Sequence, residues 1–336
     1  MPPNAAAALT KVSLVGQNKT AVVVGGTLGI GAAVARLLAK LGCKRIIISG
    51  RDEKRGTAML ETMKKLAPAD SRLEVAFVRG DLSDTKGMRA AASALRAAAG
   101  AAGIDYLIMT QNGVPKGFIV PNANGHDTGF AIQALSRVAL SYLIMKQGGL
   151  APNAVLMSIA NQGSSLDDLS VDDLSLKVRA AAGESQTALF MNQSKRDSTV
   201  LDSFIEEFNT RYPAYRHFHL WPGLVNTENF TYDELPGYIK YAMWLGMKLI
   251  GTTPDQYAAL PVYILTSPDA QETLGPGMYF DYKLNPGKLG KWPSDVKNRK
   301  ALWPVLMEII GEEGSEQAVS GGEKKERRRH AESVAM

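Results

Sequence analysis

The sequence predicts an α/β fold in which a doubly wound, seven-stranded, mostly parallel sheet carries helices on both faces. Two observations lead to this prediction. Short β-branched segments alternate with segments of helical periodicity from residue 20 onward, and a glycine-rich turn joins the first strand to its helix. Strands that alternate with helices lie parallel and are joined by right-handed crossovers. The 336 residues, of which 45% are apolar, are enough to bury a full core.

The first half of the chain sets this alternation. Residues 20–26 form a β-branched segment that stops at glycine, as a buried strand does. Apolar residues spaced by three and four positions from Ile30 to Leu41 then predict a helix, which Gly42 ends. The same reasoning predicts strands at 45–50, 73–78 and 105–109 and helices at 53–66 and 85–99.

The second half of the chain is less regular. A loop rich in Gly, Pro and Asn follows residue 113, and residues 164–183 are polar without a periodic pattern. Residues 228–253 carry Tyr, Trp, Met and Leu on amphipathic segments, so we expect them to cover a pocket as a substrate lid. The remaining predicted elements are helices at 126–147, 197–211, 255–265 and 295–310 and strands at 154–158, 216–221 and 277–281.

We expect a single domain over residues 18–311, with an N-terminal extension at 1–17 and a disordered, charged tail at 312–336. The net charge of +5 could indicate a nucleic-acid partner, but the densest basic cluster, 324–329, lies in that tail beside glutamates and is typical of a solvated segment. One cysteine excludes an intrachain disulfide. Because no secretory signal or membrane-length apolar run is recognisable, we expect a cytoplasmic protein without membrane or nucleic-acid partners.

Residues 25–31, Gly-Gly-Thr-Leu-Gly-Ile-Gly, lie between the first strand and its helix. In that context glycines let the backbone approach a pyrophosphate, and the helix N-terminus presents free N–H groups to the anion. A tight turn without a ligand is the alternative. The motif predicts a Rossmann-type dinucleotide site with cofactor-binding residues Gly25, Thr27, Leu28, Gly29 and Ile30.

The end of the second strand indicates which dinucleotide binds. A carboxylate there would accept a hydrogen bond from the ribose 2′-hydroxyl of NAD. Here the strand ends in Ser49-Gly50-Arg51, and an arginine can pair with a 2′-phosphate, so the sequence favours NADP(H); the alternative is a solvated loop arginine. After the third strand, Asp81 and Leu82 are predicted to hold the adenine, the alternative for Asp81 being a helix cap.

These motifs resemble the short-chain dehydrogenase/reductase family over about residues 20–282, and more loosely its divergent fungal branch of biosynthetic enzymes. The matching pieces are the glycine motif, Asp81-Leu82, and the segment 222–227, Pro-Gly-Leu-Val-Asn-Thr, after the sixth strand. The resemblance implies an oxidoreductase, and a homodimer or homotetramer paired through two long helices. It also implies that Pro222, Val225 and Thr227 line the nicotinamide and its phosphates.

Several positions depart from the family pattern, and the first is Val24, which replaces the opening Thr of the glycine motif. After the fourth strand the family has Asn-Asn-Ala-Gly, whereas this chain has Thr-Gln-Asn-Gly at 110–113, which makes Gln111 a candidate cofactor contact. Gln133 stands at the position of the family's active-site Asn. Ser158 is the candidate for the catalytic serine that closes the fifth strand, although the spacing to Gly163 places Ala160 there equally well.

The family's Tyr-x-x-x-Lys motif has no complete match. In the family the Tyr exchanges a proton with the substrate, and the Lys lowers the pKa of that Tyr and holds the nicotinamide ribose. The best match runs from Met191 to Lys195 and has methionine in place of tyrosine, while a second register places Val200 there. Since neither side chain can donate a proton, the proton transfer would be done by another residue, such as Lys195 or a lid tyrosine, by water, or not at all. The lid tyrosines are Tyr232, Tyr238 and Tyr241.

The sequence thus predicts an NADP(H)-dependent oxidoreductase that acts on an apolar small molecule, with Ser158 and Lys195 as catalytic candidates. Its place in secondary-metabolite biosynthesis is implied by the resemblance alone. Two alternatives stay open: a non-redox cyclase, isomerase or dehydratase on the same fold, and a nucleotide-sensing binding protein. No metal site is expected, because His217 and His219 share a strand face without a third ligand.

Overall fold

The computed structural model describes residues 4–227, 251–268, 270–274 and 278–312, together with Tyr241 and Gly246. Its strands are β1 (Thr20–Val24), β2 (Arg45–Gly50), β3 (Glu74–Arg79), β4 (Ile104–Met109), β5 (Leu150–Ile159), β6 (Arg216–Leu220) and β7 (Tyr279–Phe280). They form one seven-stranded sheet in the order β3-β2-β1-β4-β5-β6-β7, and every neighbouring pair is parallel. The predicted fold class is confirmed.

Helices cover both faces of this sheet. They are α1 (Ala5–Leu9), α2 (Gly29–Lys40), α3 (Glu53–Leu66), α4 (Thr85–Ala99), α5 (Thr128–Lys146), α6 (Lys177–Ala181), α7 (Gln186–Arg211), α8 (Pro254–Thr266), α9 (Ala270–Leu274), α10 (Lys291–Ser294) and α11 (Val296–Ile309). Two apolar layers result. One joins the sheet to α1, α2, α3 and α8, and the other joins it to α4, α5, α7 and α11.

Helix α5 is the most deeply buried helix of the second layer. Thr128–Lys146 has a mean hydropathy of 1.3 and is long enough to cross a membrane, but 72% of it is buried inside the fold, as in the core helix of a globular protein. Residues 134–144 are all buried. The helix also contains a π-helical turn, Ala131–Leu135, of the kind that often marks a functional site.

Helix α7 starts at Gln186, well before the predicted start at 197. Ser185 caps it by accepting a hydrogen bond from the backbone N–H of Ala188. The first turns show no apolar periodicity because buried polar side chains, Gln193 and Arg196, occupy their inner face. The adjoining segment, predicted to be irregular, contains α6 and four buried leucines. These are Leu166, Leu169, Leu174 and Leu176.

The described ends of the chain pack on the domain. In the predicted extension, Ala5, Leu9 and Leu14 are buried in the layer that α8 shares. At the other end, Glu312 forms ion pairs with Arg89 and Lys146. Residues 313–336 of the predicted tail lie outside the described residues. So does most of the predicted lid, of which Tyr241, Gly246 and 251–253 are described.

Helix α11 covers the outer side of α5 and α7. The Trp303 ring stacks on Phe204 with ring centroids 5.5 Å apart and meets the edge of Tyr142 at 6.1 Å. The guanidinium of Arg211 lies 4.4 Å from the same ring, and Arg299 pairs with Glu207 at 3.4 Å. The two long helices are therefore covered from within the chain.

Replacing Trp303 by Ala tests how much α11 contributes to stability. Because Trp303 is 2% exposed and fills the space between α5 and α7, we expect the free energy of unfolding to fall by about 3–5 kcal/mol. Urea denaturation followed by circular dichroism measures it. Val296→Ala, on the same helix at 46% exposure, is the control and should cost less than about 0.5 kcal/mol. Equal losses for both variants would show that α11 does not depend on this packing.

Candidate functional site

A cavity of about 650 Å³ runs along the carboxyl ends of the strands. At one end it is lined by residues that follow β2 and β3, and at the other by residues that follow β5 and β6. Its middle lies between β1 and β4, where the strand order reverses direction. Ligands of open α/β sheets bind at such a switch point.

Most of the predicted cofactor residues line this cavity, and three predicted site residues do not. Val225 is buried in an apolar layer, and its backbone pairs with Thr252. Ser158 and Lys195 also lie outside the lining. The predicted residues that line it are Gly25, Thr27, Leu28, Gly29, Ile30, Arg51, Asp81, Leu82, Gln111, Pro222 and Thr227.

The glycine turn brings β1 close to the end of β4. Gly25 has φ +77°, and a Cβ there would lie 2.8 Å from Thr110 Oγ1 and 2.9 Å from the Gln111 nitrogen. A Cβ on Gly31 would lie 2.4 Å from the Gly25 carbonyl oxygen. Helix α2 then starts without a side-chain cap and without an acidic residue in its first turn. Its first N–H groups therefore remain available to an anion, which fits a pyrophosphate.

Two arginines line the β2 end of the cavity, Arg51 and Arg55. The Asp52 carboxylate beside them caps α3 by accepting from the Arg55 N–H at 3.0 Å, and it pairs with the Arg55 side chain at 3.2 Å. The Asp52 carboxylate is therefore already bound to the backbone and side chain of Arg55. Asp81 also lines this end and accepts from the Ser83 N–H at 3.0 Å, so it closes a local turn rather than capping α4.

Arg137, which was not among the predicted site residues, lies outside the cavity lining and holds the backbone of residues that line it. Its guanidinium is fully buried and donates to the carbonyls of Gln111 at 2.7 Å and Ile159 at 2.9 Å, and to that of Gln133. Burial lowers its pKa to about 9, so it stays charged at neutral pH. Gln133 in turn accepts from the Gly113 N–H at 3.0 Å. The sequence feature that could have identified Arg137 is its position as an arginine inside an otherwise apolar helix.

Ser158, the predicted catalytic serine, points away from the cavity. Its hydroxyl lies 3.0 Å from His217 Nε2, and both side chains are fully buried between the sheet and α7. Burial holds the pKa of His217 well below its usual range, so this pair is neutral. Ala160, the other candidate, lies two residues further along, just beyond the end of β5, and lines the cavity. That position has no hydroxyl.

Helix α7 presents a different set of residues from either predicted register. Lys195 and Met191 are exposed outside the lining, and Val200 is buried beneath the helix. The residues that face the cavity are Ser194, Asp197 and Leu201, spaced by three and four positions on one face. These residues were not predicted as site residues, because the family motif on this helix consists of a tyrosine and a lysine.

Asp197 belongs to a buried network of charges. One carboxylate oxygen accepts from Arg196 Nε at 2.9 Å, and Arg196 Nη2 lies 3.2 Å from Asp127. Arg196 Nη1 also donates to the Leu174 carbonyl at 3.0 Å, which fixes the guanidinium. Burial and, to a smaller extent, the Asp127 charge raise the pKa of Asp197, while Arg196 and Arg137 oppose the rise, so that the pKa is about 6.

Comparison with known proteins shows what the chain is similar to. Residues 19–124 match the model of the family described as short chain dehydrogenase. A protein of Emericella nidulans named Oxidoreductase AN1596 is 27% identical over 237 residues, which cover 69% of this chain and 66% of that protein. The match therefore spans just under two thirds of the length of this relative.

Two solved structures share the fold at 17% identity each. A short chain dehydrogenase from Burkholderia cenocepacia J2315, in complex with NADP, has a TM-score of 0.56 over 80% of this chain and 98% of that one. The MalC Reductase/Diels-Alderase of Malbranchea aurantiaca has a TM-score of 0.56 over 79% and 94%. The family model matches from β1 into the loop after β4, a segment that includes the glycine turn opening α2, and over this segment the chain is similar to the short-chain dehydrogenase/reductase family.

Proposed function

We propose that this protein is an NADP(H)-dependent oxidoreductase that reduces a carbonyl, or oxidises the corresponding alcohol, of an apolar small molecule. One observation carries the proposal. A single cavity joins two arginines, a glycine turn with free helix N–H groups and an apolar far end, all along the carboxyl edge of one parallel sheet. The bound cofactor would supply the hydride, and the chain supplies its binding and the surroundings of the substrate.

The arginine end supports the choice of NADP(H). Arg51 and Arg55 place two guanidinium groups where a 2′-phosphate would lie beyond β2. The acid at this position, Asp52, is engaged with the α3 N-terminus and Arg55, so it is less available to a ribose hydroxyl. The related fold from Burkholderia cenocepacia was solved with NADP.

The far end of the cavity supports an apolar substrate. Val114, Pro115, Leu201 and Trp221 contribute to its lining. Trp221 is 38% exposed and is held edge-on against Tyr282 at 5.5 Å, which gives a fixed aromatic surface at the mouth. We propose a role in secondary-metabolite biosynthesis, which the resemblance of the motifs implies, and a cytoplasmic location.

We propose that any homodimer or homotetramer uses surfaces other than the two long helices. The resemblance implies pairing through those helices, but in this chain α11 covers α5 and α7, and Trp303 fills the space between them.

A second candidate is a non-redox enzyme, such as a cyclase, on the same nucleotide-binding fold. It is favoured by the cavity face of α7, which among the described residues carries Ser194, Asp197 and Leu201 and no tyrosine or lysine. One solved structure with this fold is named MalC Reductase/Diels-Alderase, a name that puts a non-redox activity beside a reductase.

The redox proposal predicts oxidation of NADPH in the presence of apolar carbonyl compounds. The purified full chain is mixed with NADPH and a panel of aromatic ketones and quinones, including phenanthrenequinone and menadione, and the absorbance of the reduced nicotinamide is followed. We expect turnover with at least one compound, and slower turnover with NADH. Binding of NADPH without any oxidation across the panel would contradict the proposal and leave the second candidate.

The cofactor assignment predicts that Arg51→Ala weakens NADP(H) more than NAD(H). Loss of a charge-assisted hydrogen bond to phosphate should raise the Kd for NADPH by about 10- to 100-fold and leave that for NADH within about 3-fold. Fluorescence titration measures both. Lys54→Ala is the matched control, because it removes one exposed positive charge from α3 outside the lining. Equal effects of the two substitutions would show that Arg51 does not read the 2′-phosphate.

A further inference from the structure

The β5–β6 end of the cavity contains one ionisable side chain among the described lining residues, that of Asp197. The polar side chains around it do not titrate near neutral pH. Two of them, Asn161 and Ser194, are joined by a weak hydrogen bond of 3.4 Å between Asn161 Nδ2 and Ser194 Oγ. Any proton that a described side chain at this end gains or loses near neutral pH therefore belongs to Asp197.

The Asp197 carboxylate is held on one side and free on the other. One oxygen, Oδ1, accepts from Arg196 Nε at 2.9 Å. Arg196 is itself fixed by Asp127, by the Leu174 carbonyl and by its position 4.5 Å above the Phe130 ring. The structure gives the second oxygen, Oδ2, no hydrogen bond to a described residue, and Asp197 lines the cavity. Such a carboxyl is oriented yet available to a ligand.

We propose that the Asp197 carboxyl is the catalytic acid and base of this protein, exchanging a proton with the substrate oxygen from the face of α7. The proposal rests on the proposed function, because it needs a substrate oxygen that changes between carbonyl and alcohol. It assigns to an aspartate the proton transfer that neither Ser158 nor Lys195 is placed to perform.

The proton balance is simple. In the reducing direction a bound reduced nicotinamide would supply the hydride to the carbonyl carbon. The Asp197 O–H bond breaks, and its proton forms the new O–H bond of the alcohol. The carboxylate left behind regains a proton from water, so the sum is carbonyl plus NADPH plus H⁺ giving alcohol plus NADP⁺. In the oxidising direction the carboxylate takes the hydroxyl proton and later releases it to water.

The charges around Asp197 suit both protonation states. Arg196, on the same helix, and Arg137, on α5, favour the carboxylate, whereas Asp127, from the loop before α5, and burial favour the acid. The opposing effects leave the pKa of Asp197 at about 6, close to working pH, where a group can both give and take a proton. The acid form, which reduction needs, is populated below that pH and is lost as pH rises through it.

The test compares Asp197→Asn with Asp127→Asn in the full chain, with NADPH and the best quinone of the panel. An asparagine at 197 can still accept from Arg196 but cannot donate an acid proton, so kcat should fall about 10²- to 10⁴-fold while the Kd for NADPH stays within about 3-fold. The kcat/KM of the wild type for reduction should fall as pH rises through about 6. In Asp197→Asn this inflection should be absent.

Asp127→Asn is the matched control because it removes the other carboxylate bound to Arg196, outside the cavity lining. It should retain the inflection and move it to lower pH, since the Asp127 charge raises the pKa of Asp197. If Asp197 had a merely structural role, the two variants would lose similar amounts of kcat, and Asp197→Asn would not selectively lose the pH inflection. That result would overturn the proposal.

A readout independent of turnover uses protein labelled with ¹³C at the aspartate carboxyls. One resonance should titrate with a midpoint near pH 6 and be absent from Asp197→Asn. The wild-type titration alone suffices if the variant does not fold: no aspartate titrating between pH 5 and 7 overturns the proposal. Full activity of Asp197→Asn overturns the proposal and leaves the proposed function standing, whereas a wild type that oxidises no NADPH overturns both.

Discussion

The carboxyl edge of a parallel sheet ends in backbone groups that have no further strand to pair with, and one buried guanidinium resolves that problem here. Arg137 reaches out of α5 and joins the carbonyls of Gln111 and Ile159, which follow or end β4 and β5. Nη2 donates to both of these carbonyls, whereas Nε is buried without a partner among the described residues. Because a buried charge is costly unless it is hydrogen-bonded, the two Nη2 contacts favour keeping these strand ends together. Because the cavity opens over them, its floor depends on this one side chain.

The same contact connects the cavity to its chemistry. Arg137 also donates to the Gln133 carbonyl within the π-helical turn of α5, and Gln133 lines the cavity and holds the Gly113 N–H. Its positive charge is one of those that oppose the rise in the pKa of Asp197. One small buried network around Arg137 therefore contributes to the cavity lining, to the backbone geometry of α5 and to the pKa of Asp197.

The sequence predicted what regular spacing can show. The bounds of α3 and α4 follow from their caps and apolar repeats, and the glycine turn was found because strand, turn and helix are consecutive in the chain. The substrate end could not be predicted in this way, because its residues come together only through the packing of α7 on the sheet. Ser158 pairs with His217, which follows it by 59 residues, and Asp197 faces the cavity because of the way α7 is rotated against the sheet. The family motif therefore places the proton-transferring group at positions of α7 that do not face the cavity.

We propose that one dinucleotide lies along the carboxyl edge of the sheet, with its 2′-phosphate at the arginine end and its nicotinamide at the end that Asp197 lines. A crystal structure of the protein with bound NADP would show this arrangement. We expect Arg51 to contact the 2′-phosphate, and Asp197 Oδ2 to border the space above the nicotinamide ring, within hydrogen-bond reach of a substrate oxygen placed there. A nicotinamide bound away from Asp197, or a 2′-phosphate that contacts neither Arg51 nor Arg55, would contradict it.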